Sequence, residues 1–190
     1  SVFYPIDNLD KTILANFIGN YAKQREEQLE YLFFEPSNLF PDETFLLRGT
    51  EKDHTPDYKL AAYPNIIRDG YAMHPEICRI HNSSHLAVSS HFGMWLDYPG
   101  VTGQKVFEIM ASGTPPLSHD SIGMQSVIED YKTGFLANNI DDVIERYQYC
   151  LDNPNEAKKI GMAAHKKAVE NFTWDKRVED MMKYIKGTNK

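Results

Sequence analysis

Apolar positions along the chain fall into two kinds of cluster that alternate. Short continuous runs occur in "KTILANFIG" (11–19), "ETFLLRG" (43–49), "PNIIRDG" (64–70), "HLAVSS" (85–90) and "TPPLS" (114–118). Runs of this length read as buried strands, and three of them stop at a glycine. Between them lie segments with helical spacing. "QREEQLEYLFFE" (24–35) puts Leu29, Leu32 and Phe33 on one side and charges on the other. "HPEICRIHNSS" (74–84) sets Ile77, Ile80 and His81 at i, i+3 and i+4, and "GQKVFEIMASG" (103–113) reads as a helix closed by a glycine C-cap. "SVIEDYKTGFLA" (126–137) reads as a helix, a turn and a strand. "IDDVIERYQYCLDN" (140–153), "PNEAKKIGMAAHKKAVENF" (154–172) and "TWDKRVEDMMKYIK" (173–186) are amphipathic helices, the last with Trp174 near its start.

Strands alternating with helices predict βαβ units, hence an α/β fold with a Rossmann-like parallel sheet and helices on both faces. Ligands of such sheets bind beyond the carboxyl ends of the strands. Gly19, Gly49, Gly70 and the "SSHFG" segment therefore point at the site. The stretch 88–103, "VSSHFGMWLDYPGVTG", is either a binding loop or an ordinary surface loop.

Composition changes this picture little. With 190 residues, 42% of them hydrophobic, the chain holds one domain with a real core, or one large domain with a small appendage. No apolar run approaches the ~18 residues of a membrane span, and "SVFYPIDNLDK" has no export-signal pattern, so a cytoplasmic location is expected. Cys78 and Cys150 are too few for a disulfide framework and read as reduced, buried hydrophobes. The net charge of −7 disfavours nucleic acid as the main partner. Residues 155–190 carry nine Lys/Arg against five Asp/Glu. That excess is either a solvated helical terminus or a peripheral contact with an acidic membrane surface or partner.

Two segments offer chemistry. In "FIGNYAKQREEQLEYL" a strand ends at Gly19 and a helix starts near Arg25. Loop amides, a helix N-terminus, Lys23 and Arg25 make either an anion site or a tight turn with two solvated cations. A single glycine there is neither a dinucleotide fingerprint nor a P-loop. In "TGQKVFEIMASGTPPLS", Lys105 lies in the first helical turn and Glu108 one turn in. The acceptor-only carboxylate can take two hydrogen bonds from vicinal ribose hydroxyls. The alternative is a surface Lys105–Glu108 pair worth ~0.2–0.5 kcal/mol. His81 and His85 are four apart, but the predicted helix ends between them, so no metal site is expected. His74, His91 and His119 fall near predicted strand ends, as polar loop residues or as general acids and bases.

From "KVFEIMASG" through "DYKTGFL" to "NFTW", the chain resembles the carboxyl-terminal domain of nucleotide-sugar glycosyltransferases built from two Rossmann-like halves, the GT-B type. Within that superfamily it looks most similar to the spore-maturation-type enzymes. The resemblance implies that Glu108 grips the donor ribose, that Arg25 and Lys105 meet the diphosphate, and that Gly19 lets backbone approach it. It also implies that Tyr71 contacts the base and that Gly123 belongs to the loop after "TPPLS"; the place of Lys105 in that set comes from its position at the helix N-terminus. Many relatives carry an acid where this chain has Gly100, Arg where it has Asn20, and Glu where it has Ser126, so sugar contacts and catalytic groups stay unassigned. The implied organisation is a single donor-binding domain over 1–190, with 1–11 as an interdomain linker and 155–190 as C-terminal helices. The implied reaction moves a sugar from a nucleotide diphosphate to an unknown glycan, protein or lipid acceptor, with no required cofactor or metal. The acceptor half is then a missing amino-terminal domain or a partner chain, and an apolar strip should face it. Two other readings stay open: a non-catalytic nucleotide-sugar-binding module of a surface or coat assembly, and a sugar-nucleotide epimerase.

Overall fold

The computed structural model describes residues 2–20, 23–49, 61–91, 98 and 101–188. Six strands form one sheet: β1 Ile13–Ile18, β2 Phe45–Arg48, β3 Ile66–Asp69, β4 Ser84–Ser89, β5 Pro116–His119 and β6 Phe135–Ala137. Their spatial order is β3-β2-β1-β4-β5-β6, and every pairing is parallel. The chain builds outward from β1 through β2 to β3, then returns to the other edge of β1 with β4. That reversal opens a crevice beyond the C-terminal ends of β1 and β4, where doubly wound sheets bind ligands.

The first helical element, α1, is a succession of turns: 3-10 at Lys23–Arg25, α at Glu26–Leu29, π at Glu30–Phe34 and α at Glu35–Leu39. The others are α2 His74–Asn82, α3 Gln104–Ala111, α4 Ile122–Gln125, α5 Ile140–Asp152, α6 Pro154–Asn171 and α7 Trp174–Thr188. Alternation along the strands sorts the core. Phe45 and Leu47 of β2 pack with Leu32 and Phe33 of α1 and with Val143 and Tyr147 of α5. Leu46, pointing the other way, packs with Ile80 of α2. The Tyr147 hydroxyl donates to the Leu32 carbonyl at 2.9 Å, which ties α5 to α1 while satisfying a buried phenol. On a second patch, Val106 and Met110 of α3 meet Ala164 and Ala168 of α6.

The Rossmann-like α/β expectation holds, with local corrections. The helix expected within 126–137 is instead α4, four residues earlier, opened by Ser121, whose hydroxyl accepts from the Met124 amide. Beyond Ser126 side chains capture the backbone. Thr133 accepts from the Glu129 amide and Asp130 from the Leu136 amide, both at 2.9 Å, and these bonds replace a helical ladder. α1 also continues past Glu35, because Pro36 sits in the first turn of its last segment, where a missing amide costs nothing. Gly113 takes φ +74°, the left-handed cap expected after α3. Cys78 and Cys150 are buried free thiols. The segment read as a linker lies along α2, where Asn82 accepts from the Ile6 amide at 2.7 Å and donates to the Tyr4 carbonyl at 3.0 Å. No helix among the described residues is long and apolar enough to cross a membrane. Residues 92–97, 99 and 100, in the stretch read as a binding or surface loop, lie outside the described residues, Gly100 among them.

Candidate functional site

β1 ends at Ile18, and the next residue is glycine for a steric reason. Lys105, in the first turn of α3, reaches across the crevice and donates its ammonium to the Ile18 carbonyl. A Cβ on Gly19 would overlap that ammonium. Gly49, at the end of β2, is also closely packed, since its Cβ would stand 2.8 Å from the Gly19 carbonyl oxygen. The Lys105 ammonium also lies 4.4 Å from the centre of the Phe17 ring, a cation–π contact.

Two further groups, Arg25 and His91, lie near this lysine, and His119 lies near His91. Arg25, at the end of the first turn of α1, donates to the Asn20 carbonyl at 3.3 Å and is held below its usual range by burial. Burial, then Arg25, push Lys105 down to about 7, against a small opposing pull from Glu108. His91, just past β4, is driven to about 4 by burial and then by Arg25, Lys105 and His119, so it is neutral near pH 7. His119, the last residue of β5, is lowered mainly by burial, and its Nδ1 lies 2.5 Å from the Tyr31 hydroxyl. The crevice thus brings the Arg25 and Lys105 side chains near each other at the end of β1. The N-terminus of α3, whose cap Gly103 offers no side chain, adds the positive end of a helix dipole.

Glu108 lies one turn along α3, half-buried, and accepts from Gln104 at 3.0 Å. It lines a groove of about 690 Å³ whose walls include Phe3, His74, Phe107, Phe172, Trp174 and Met181. Of the six residues expected to hold the donor, the groove takes Glu108 alone; Arg25, Lys105 and Gly19 cluster at the end of β1. Tyr71 is exposed just past β3. Its carbonyl accepts from Arg48, a buried arginine that also donates to the Gly70 carbonyl and to the carboxylates of Asp69 and Glu76. Sequence reading passed over Arg48, although a charge closing an apolar strand was the available signal. Gly123 is bare for a packing reason, because a Cβ there would overlap the Val101 carbonyl oxygen. Ser126 donates to the Gly123 carbonyl at 2.6 Å.

The other histidines separate. His81 is fully buried, pushed to about 3 chiefly by burial, and its Nδ1 lies 3.1 Å from Asn16 in the sheet. His85 lies on β4, and His74 starts α2 with its ring 5.9 Å from Phe3. No group of three or more potential metal ligands occurs among the described residues. α7 leaves Trp174 83% exposed and presents Val178, Met181, Met182 and Ile185 to solvent as well, an apolar strip of the kind expected.

Residues 25–183 match the family described as glycosyl transferase-like. Over 77 residues the chain is 34% identical to the trehalose synthase of Thermococcus litoralis, covering 40% of this chain and 19% of that protein. Its fold is that of sucrose-phosphate synthase from Thermosynechococcus elongatus, with TM-score 0.75, 16% identity and coverage of 98% of this chain and 50% of that one. It is also that of HepE from Anabaena, solved with UDP-glucose, with TM-score 0.74, 14% identity and coverage of 93% and 49%. The matched segment therefore covers about a fifth of the curated relative's length, and the chain covers about half of each solved structure.

Proposed function

The chain belongs to the glycosyl transferase-like family, and on that premise we propose that it is the donor-binding half of a nucleotide-sugar glycosyltransferase, nearest to the spore-maturation type. The observation that carries this reading is the Lys105 ammonium, held on the Ile18 carbonyl beside Gly19 and crowded by Arg25 at the sheet's topological switch point. A diphosphate lying between two neighbouring basic groups favours the charged form of both and accepts charge-assisted hydrogen bonds from them.

In this reading Arg25 and Lys105 hold the diphosphate and Glu108 accepts the ribose hydroxyls. Tyr71 meets the base, and Gly19 keeps the approach to backbone open. As the bond to the sugar breaks, negative charge grows on the leaving diphosphate. Preorganised cations and the α3 N-terminus stabilise that charge where it develops. Transfer also needs an acceptor held in register and water excluded from the far side. A second, amino-terminal half or partner chain would supply both, packing on the exposed strip of α7. The isolated chain then binds nucleotide sugars at micromolar to millimolar dissociation constants, about −4 to −8 kcal/mol, and transfers little.

The test is a thermal-shift and calorimetric panel of nucleotide sugars. Saturable stabilisation by at least one of them supports the reading; no response to any overturns it.

A further inference from the structure

Arg48 closes β2 with its side chain only 8% exposed, and it spends its donors on one short stretch of chain. Nε donates to the Gly70 carbonyl at 2.7 Å, and one terminal nitrogen donates to the Tyr71 carbonyl at 3.1 Å. The remaining bonds reach the carboxylates of Asp69 at 2.7 Å and Glu76 at 2.9 Å. Asp69 in turn accepts from the Gly70 amide at 2.8 Å. The guanidinium thus clamps the turn from β3 into α2 at two successive carbonyls and ties it to the first turn of α2. The clamp sits where the sheet itself holds little. β3 is an edge strand whose last three residues are exposed, and Met73 caps α2 without a side-chain bond. Ala72 is buried with Leu46 and Ile80, but Tyr71 and Met73 on either side of it are 64% and 63% exposed. Desolvating a guanidinium to fix a turn whose large side chains stand in solvent gains nothing for the core. Gly70 adds a second observation. Among the described residues a Cβ there would meet nothing within 4 Å, and its φ is not left-handed, so neither packing nor backbone asks for glycine. Bare backbone next to an exposed ring leaves room for a planar ligand.

We propose that Arg48 is the positioning residue for base selectivity: by clamping the Gly70 and Tyr71 carbonyls it fixes the turn that presents Tyr71 to the nucleotide base, without touching the nucleotide itself. This rests on the nucleotide-sugar reading above, in which Tyr71 meets the base. A turn already ordered in the free protein loses no further freedom on binding, so more of its contact with the base appears as affinity. A fixed backbone also fixes which base it suits, whereas a loose turn re-forms around any of them and discriminates less. The clamp needs the fork of a guanidinium. A lysine at the same place supplies the charge but cannot hold two carbonyls and two carboxylates in one geometry.

The experiment is calorimetry on the full chain with uridine, adenosine and guanosine diphosphates and with inorganic pyrophosphate, which has no base. The proteins are wild type, Arg48→Lys, Tyr71→Ala, the double variant and Asp69→Ala, each with a melting curve. The wild type should prefer one base. Arg48→Lys should lose about five- to tenfold for that diphosphate, the low end of what a stacked base contributes. It should narrow the preference among bases and keep pyrophosphate affinity within about twofold. In the Tyr71→Ala background the same change should alter nucleoside diphosphate affinity by less than about twofold, because residues acting through one contact do not add. Asp69→Ala removes a carboxylate that is 61% exposed, so it should melt near the wild type and show the same narrowing more weakly. Equal losses for pyrophosphate and nucleoside diphosphate, additive losses in the double variant, or a base preference that Arg48→Lys leaves unchanged would each overturn the positioning role while leaving the nucleotide reading in place. A wild type that binds all three bases equally would overturn it too. If Arg48→Lys does not fold, Asp69→Ala decides, and an unchanged base preference there overturns the proposal. Failure of the wild type to bind any of the four ligands would overturn the parent reading, and this one with it.

Discussion

The ammonium of Lys105 occupies the volume that a side chain on Gly19 would need. These residues lie on α3 and at the end of β1, and the bond from Lys105 to the Ile18 carbonyl spans 87 positions of sequence. The glycine is thus required by a lysine as much as by a ligand. The neighbour that a Cβ would strike is the far end of a flexible chain, and Gly19 has no left-handed φ to preserve. Gly19→Ala should therefore fold with little loss of stability. It should displace the ammonium and weaken diphosphate binding by about 1–2 kcal/mol, the scale of one charged hydrogen bond. Calorimetry beside a melting curve checks this; intact affinity would show that Lys105 is not part of the cradle.

Lys105 also gives the site a pH dependence. Burial and Arg25 bring it to about 7 in the free protein, with Glu108 pulling weakly the other way. A bound diphosphate favours the charged form and raises that value, so binding takes up a proton. Affinity is then full below about 7 and declines as pH rises through 7 toward the raised value. Arg25 stays charged throughout, and His91, near 4, is already neutral. Lys105→Arg should flatten the profile. For stability the sign is reversed: between about 7 and 10.5 the unfolded lysine holds a proton that the folded one has lost, so this group makes the free chain more stable as pH rises. Affinity that does not change across this range would remove Lys105 from the anion site.

Glu108 and Arg25 should separate by ligand. Glu108→Ala should weaken binding of nucleoside and nucleoside diphosphate alike by about 1–3 kcal/mol. Arg25→Ala should weaken only the diphosphate. An equal loss for both ligands in Arg25→Ala would mean that the arginine acts through folding.

Gly123 makes the opposite prediction from Gly19. Its missing side chain makes room for backbone, the Val101 carbonyl, which cannot swing aside. Gly123→Ala should lower stability by about 1–3 kcal/mol, as overpacking does, before any ligand is added. An unchanged denaturation midpoint would restore a purely ligand-directed role.

The strands were legible because each is a short apolar run ended by a turn, as ILANFI is by Gly19. The sheet's order followed only as a class, since nothing in the run FLLR says which neighbours it takes. The π turn at Glu30–Phe34 left no trace in the spacing of Leu29, Leu32 and Phe33, although it lies in the segment that brings Tyr31 to His119. The helix at Ile122–Gln125 is too short for any period to show. Glu108, Arg25 and Lys105 could be picked out by residue type at a strand or helix end. The pairing of Gln28 with His91 could not, because it is a contact across 63 positions.

The most direct measurement is a crystal structure of the chain with the nucleotide sugar that stabilises it most. The account predicts the diphosphate between Arg25 and Lys105 at the ends of β1 and β4, and the ribose hydroxyls on the Glu108 carboxylate. A nucleotide bound with its diphosphate away from both cations, for instance wholly within the apolar groove between α3 and α7, would contradict it.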